Sequence, residues 1–205
     1  MHSFVYVNFG DGVNTAPAPW TDNYFNSGEG VIGVLSADLL NDSGSPTGFG
    51  LEVTAPFDGR DGTVGGATAD NVWPKEVYDW KWFCDGNDAA IRITGLPEGE
   101  AYSLEVAGHT LNSIRNTEFT VDGSTTLYDN AGSGVPNPPI TFNGVVTGGV
   151  IDISISRTSF FGYFNGFKLH ITRQAILPAG GSIISPIVQP ITNIELNKIA
   201  TMTNL

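Results

Sequence analysis

The chain has a single cysteine, Cys84, among 205 residues. It can form no intrachain disulfide, and no Cys or Cys/His spacing suggests a zinc site. Basic residues are scarce, nine against 21 acidic, for a net charge of −12. Proteins that grip nucleic acid present basic patches to its phosphates, so no nucleic-acid partner is expected. No stretch approaches the ~18 consecutive apolar residues of a membrane span, and no membrane insertion is expected. The opening MHSFVYVNFGDG lacks a basic start ahead of an apolar run, so no signal peptide is expected. Helical periodicity is also sparse. Only SADLL (36–40) and PKEVYDWKWF (74–83) could hold a helical turn.

What the chain has in quantity is glycine and proline, 26 and 12 residues, and short runs in which apolar and polar residues alternate. A period of two marks half-buried strands. Phe4, Tyr6 and Asn8 alternate with Val5, Val7 and Phe9, so the first strand is expected to be covered on both faces. Phe49, Leu51 and Val53, then Ile91 and Ile93, Tyr102, Leu104 and Val106, Phe119 and Val121, and Ile151, Ile153 and Ile155 repeat the pattern. NDSGSPTG, TGLPEGE, VDGST and VTGGV separate these runs as turns. The class is all-β: an antiparallel two-sheet jelly-roll sandwich over residues 1–173, followed by an extended C-terminal arm, 174–205.

The arm has prolines at 178, 186 and 190 and no clean alternation. Its apolar residues Ile183, Ile184, Ile187, Val188, Ile191, Ile194 and Leu196 cannot bury themselves alone. They are expected to dock on a partner subunit, where main-chain pairing and alternate side chains provide the hold; packing on the chain's own sandwich is the other reading.

Residues 56–82 form a long connection rich in aromatics, the kind that carries function. Trp73, Tyr78, Trp80 and Trp82 offer flat rings for the C–H faces of a sugar, and Asp79 a carboxylate for its hydroxyls. The opposing reading has these tryptophans plugging the sandwich. Asp58, Asp61 and Asp70 lie around the turn DGRDG and could offer oxygens to a structural Ca²⁺, though the full calcium-loop spacing is missing and turn chemistry explains them as well. No other cofactor is expected. The aromatic stretch RTSFFGYFNGFKLHI (157–171) reads as a turn feeding a half-buried strand, with room for one exposed ring.

Catalytic signatures are lacking: there is no G-x-S-x-G elbow and no H-E-x-x-H. GEGVIG (28–33) spells G-x-G-x-x-G but neither follows a clear strand nor opens a helix. His109, Asp122 and a serine remain a formal triad, since triads are defined in space.

Several stretches, in order, resemble a family of galactose-binding-like β-sandwich domains akin to malectin-like and other carbohydrate-binding modules. They are VNFGDGVNTAPAPWTDN, WPKEVYDWKWF, IRITGLPEGEAYSLEVAGHTLNSIRNTEFTVDG and GVIDISISRTSFFGYFNGFKLHI. The resemblance covers about residues 1–173. It implies a jelly roll, a glycan ligand, and contacts from the loop carrying His109 and Arg115. The chain departs there, with His109-Thr110 and Ile114-Arg115 where the family often has Ser-Arg and Asn-Arg.

Together these readings lead to the expectation of a non-enzymatic virion protein, a bacteriophage tail or capsid component. It would display a jelly roll for host-surface glycan attachment and form a homo-oligomer, or join other virion proteins, through its arm. The alternatives are a stand-alone bacterial carbohydrate-binding module or adhesin, extracellular in location, and, less favoured, a small hydrolase on the same scaffold.

Overall fold

The computed structural model describes residues 2–10, 16–20, 22–24, 31–62, 73–111, 115–130 and 136–172. In chain order the elements are β1 (His2–Phe9), β2 (Asp22–Tyr24), β3 (Gly33–Ser36), β4 (Gly50–Ala55), β5 (Gly59–Gly62), α1 (Lys75–Asp79), β6 (Trp80–Cys84) and β7 (Ala89–Thr94). There follow β8 (Ala101–Ala107), β9 (Thr117–Val121), β10 (Ser124–Tyr128), β11 (Ile140–Val145), β12 (Ile151–Arg157), β13 (Gly162–Phe164) and β14 (Gly166–Thr172).

The strands form a five-stranded sheet, β11-β8-β14-β1-β2, and a six-stranded sheet, β10-β9-β12-β7-β4-β3. A small third sheet, β13-β6-β5, joins them. Pairing is antiparallel throughout except β1 with β2. This is the expected all-β sandwich. The expected alternation is realised: Ile91 and Ile93 of β7 and Ile151, Ile153 and Ile155 of β12 are buried, and their polar neighbours are half-buried. One apolar cluster takes in Val5, Val7 and Phe9 of β1, Leu104 and Val106 of β8, and Leu169 and Ile171 of β14 from one layer, with the isoleucines of β7 and β12 from the other. Transfer of these side chains out of water is the main force holding the layers together.

α1 falls in the stretch expected to hold a helical turn. SADLL does not form one. Leu39 goes into the core, and Asp38 accepts from the Thr47 and Gly48 amides at 2.9 and 2.7 Å, closing a loop that a helix would have opened. The residues named for the arm, Ile183, Ile184, Ile187, Val188, Ile191, Ile194 and Leu196, lie outside the described residues.

Candidate functional site

The loop aromatics are packed inward. Trp82 is 1% exposed, with Phe9 and Phe57 at 4.6 and 5.1 Å between ring centroids. Trp73 is 3% exposed; it lies edge-on to Trp20 at 4.8 Å, and its Nε1–H donates to Glu105 Oε2 at 3.2 Å. Tyr78 is buried against Trp73 on one side and His109 on the other. Trp80 is half-buried over Gly62, where a Cβ would come within 2.6 Å of its ring. The expected exposed platform of Trp73, Tyr78 and Trp82 is therefore corrected: these rings carry too much apolar area to leave in water and plug the sandwich instead.

The polar residues expected beside them are each engaged with a group other than a ligand. Asp79 pairs with Lys75 along α1. The Lys81 side chain is fully buried, with its ammonium 4.0 Å from Asp61 and over the Tyr163 ring at 5.6 Å. Burial pushes its pKa down to about 8, against the pull of Asp61 and Asp79. Arg115 Nη1 donates to the Tyr163 hydroxyl at 2.6 Å, and its guanidinium lies 4.5 Å over the Phe161 ring. Asn165 ties this end together. Its Oδ1 accepts the His109 amide at 2.5 Å, and its Nδ2 donates to the Tyr78 and Trp80 carbonyls at 3.3 and 3.2 Å.

His109 sits beside the start of β9, where a Cβ at neighbouring Gly108 would meet Thr117. Asp122 follows the end of that strand, so the formal triad is not assembled. Of the carboxylates considered for Ca²⁺, Asp58 accepts the Asp85 and Gly86 amides at 2.7 and 3.0 Å, and those bonds lower its pKa. Asp61 faces Lys81, and Asp70 lies outside the described residues. Among the described residues no three His, Cys, Asp or Glu gather in a way that could hold a metal. Cys84 is buried with its thiol donating to the Ile155 carbonyl at 3.3 Å, and burial raises its pKa.

A concave feature lies elsewhere, at the open side of the sandwich between edge strands β10 and β11. It is a cleft of about 430 Å³ whose lining includes Tyr102, Asp122, Ser124, Phe142, Asn143 and Val145. Gly144 stands opposite Tyr102 across the β8–β11 pairing, and a Cβ there would lie 2.7 Å from the tyrosine ring. Only glycine lets the ring lie along the edge strand. The Tyr102 hydroxyl donates to Asp122 Oδ2 at 2.7 Å. Asp122 itself takes φ +46 in the β9–β10 turn, a conformation aspartate tolerates better than most residues, and its Oδ1 accepts the Asp152 amide. Burial, then the carboxylate, push the Tyr102 pKa up. Asn143 and Ser124 are exposed, leaving an amide and a hydroxyl at the rim. Sequence reasoning read Tyr102 as a strand residue, set Asp122 in a formal triad with His109, and passed over Phe142 and Asn143. The signal was Gly144 inside the strand ITFNGV, which marks a close approach.

No protein-family model matches the chain, and no curated protein sequence matches it. Partial likenesses exist among solved structures. An exo-β-1,3-galactanase from Phanerochaete chrysosporium shares 11% identity at a TM-score of 0.34, over 44% of this chain and 23% of the enzyme. A family 35 carbohydrate-binding module from Cellvibrio japonicus shares 11% at 0.32, over 44% of this chain and 69% of the module. A family 36 module of a xylanase from the hindgut metagenome of Trinervitermes trinervoides shares 12% at 0.30, over 46% and 79%. This chain therefore spans under a quarter of the galactanase's length. At these values the likenesses carry no argument, and what the sandwich binds must be read from its own residues.

Proposed function

We propose that the protein is a non-enzymatic glycan-binding module and that the Tyr102–Asp122 cleft receives the sugar. The cleft itself carries this reading. It gathers the carboxylate of Asp122, the amide of Asn143 and the hydroxyl of Ser124, with the largely buried rings of Tyr102 and Phe142 behind them. Sugars carry a fringe of hydroxyls, and a few fixed polar groups converging in a cleft can hold them. The groups that catalysis would need do not support turnover: Asp122 is committed to Tyr102 and the Asp152 amide, far along β9 from His109. Affinity electrophoresis through gels containing single neutral polysaccharides tests the reading. Retardation in at least one gel, lost in Asn143→Ala at unchanged melting temperature, is the expected result; retardation in none would overturn it.

A second reading concerns residues 174–205. That stretch carries one glutamate and one lysine in a chain of net charge −12, so it can approach another copy without the repulsion that the rest of the chain brings. Light scattering of the full chain beside residues 1–173 tests whether it mediates assembly, as a virion protein would require. Loss of a defined oligomer on truncation supports it, and two monomers would reject it.

A further inference from the structure

Seven of the nine basic residues lie among the described positions. Four of them face a carboxylate within 4.0 Å: Lys75 on Asp79, Lys81 on Asp61, Arg92 on Asp152 and Glu52, and Lys168 on Glu105. Arg60, Arg115 and Arg157 make no such ion pair among the described residues. In a chain with 21 acids that is a selective omission, and two of the three converge on one loop, residues 157–161.

The loop is built to hold them. Arg115 lies over the Phe161 ring at 4.5 Å, fixed by its bond to Tyr163. Arg157 Nη1 reaches the Phe160 carbonyl at 3.4 Å. The Thr158 amide and hydroxyl both donate to the Asn116 carbonyl, at 3.3 and 3.2 Å, which keeps the loop against the segment bearing Arg115. In the same loop Phe160 is 61% exposed, and the other aromatic rings whose burial is described are buried or half-buried. Arg157 also helps to lower the Asp58 pKa, after the Asp85 and Gly86 amides that Asp58 accepts.

We propose that this corner is a second binding site, for an acidic sugar residue. Its sulfate ester or carboxylate would sit on the guanidinium groups of Arg115 and Arg157, and its C–H face on Phe160. A guanidinium with unengaged N–H groups matches the oxygens of either anion, and stacking on Phe161 holds the Arg115 fork flat while leaving its edge open. The sugar part of this inference rests on the glycan-binding reading; the anion part rests on the corner alone.

The test is retention of the full chain on immobilised dextran sulfate, polygalacturonate and unmodified dextran at physiological ionic strength. Retention is expected on a charged support and not on dextran, and the support that retains identifies sulfate or carboxylate as the source. Arg157→Gln and Phe160→Ala, both at exposed positions, are each expected to weaken retention roughly tenfold. Arg92→Gln removes the same charge from the outer face of the six-stranded sheet and is expected to change nothing. No retention on either charged support, equal loss in Arg92→Gln, or full retention in Phe160→Ala would overturn the proposal. Asn143→Ala should leave this retention intact, so failure of the cleft and failure of the corner are distinguishable.

Discussion

The Tyr102 hydroxyl donates to Asp122 Oδ2 at 2.7 Å, joining the start of β8 in one sheet to the β9–β10 turn of the other. The same bond forms one wall of the cleft, so stability and binding are linked at this point. Tyr102→Phe keeps the ring and removes the bond. It is expected to cost about 1.5–3 kcal/mol, the range for a hydrogen bond to a charged group, read as a shift in urea midpoint. The raised tyrosine pKa also sets a sign. Its contribution is complete below the ordinary tyrosine value near 10 and is lost as pH rises above it, so Tyr102→Phe should flatten the alkaline loss of stability.

Lys81 predicts the opposite slope in a lower window. Its pKa is held down to about 8 from 10.5 by burial. The folded state therefore binds fewer protons than the unfolded chain between those values, and stability should rise as pH goes from 8 toward 10. The strain of keeping the ammonium buried below pH 8 is on the order of 3 kcal/mol by the shift alone. Lys81→Met should raise the urea midpoint at pH 7 and abolish the rise between pH 8 and 10. A variant less stable than the parent at pH 7 would show that the Asp61 and Tyr163 contacts outweigh the burial cost.

Asn165→Ala should be among the most damaging single changes. The side chain is fully buried, and it satisfies the His109 amide and two carbonyls at once. Its loss strands those buried groups, at about 1–3 kcal/mol each before relaxation. Thermal unfolding should show a drop larger than that of Tyr102→Phe; an equal or smaller drop would mean that water replaces the side chain.

These residues also show how much was legible in the sequence. The period-two runs of β7, β8, β9 and β12 were plain, because a half-buried strand needs alternation and little else does. The class of fold followed from them. Aromatic residues were harder. Trp73 and Trp82 in a long loop look alike whether they face a sugar or the core, since the same ring area serves both, and the structure puts them in the core. Asn165 read as a turn residue before Gly166; it is instead the single residue between β13 and β14, where the chain passes from the small sheet to the five-stranded one. Its reach to His109, 56 positions away, and to Tyr78 and Trp80, 87 and 85 away, leaves no local pattern. The cleft was invisible for the same reason: Tyr102, Asp122 and Asn143 are ordinary residues of three separate elements until pairing brings them to one edge. The stretch RTSFFGYFNGFKLHI resolved as expected, with Tyr163, Phe164 and Phe167 buried and one ring, Phe160, exposed.

The central claim is that the Tyr102–Asp122 cleft receives a sugar, and amide chemical-shift mapping tests it most directly. The ¹⁵N-labelled full chain would be titrated with oligosaccharides cut from whichever neutral polysaccharide retards it. Saturable shifts gathered at residues 121–124 and 142–147 are the predicted result. Shifts centred on other elements with these amides still, or no saturable shift with any neutral sugar, would contradict it.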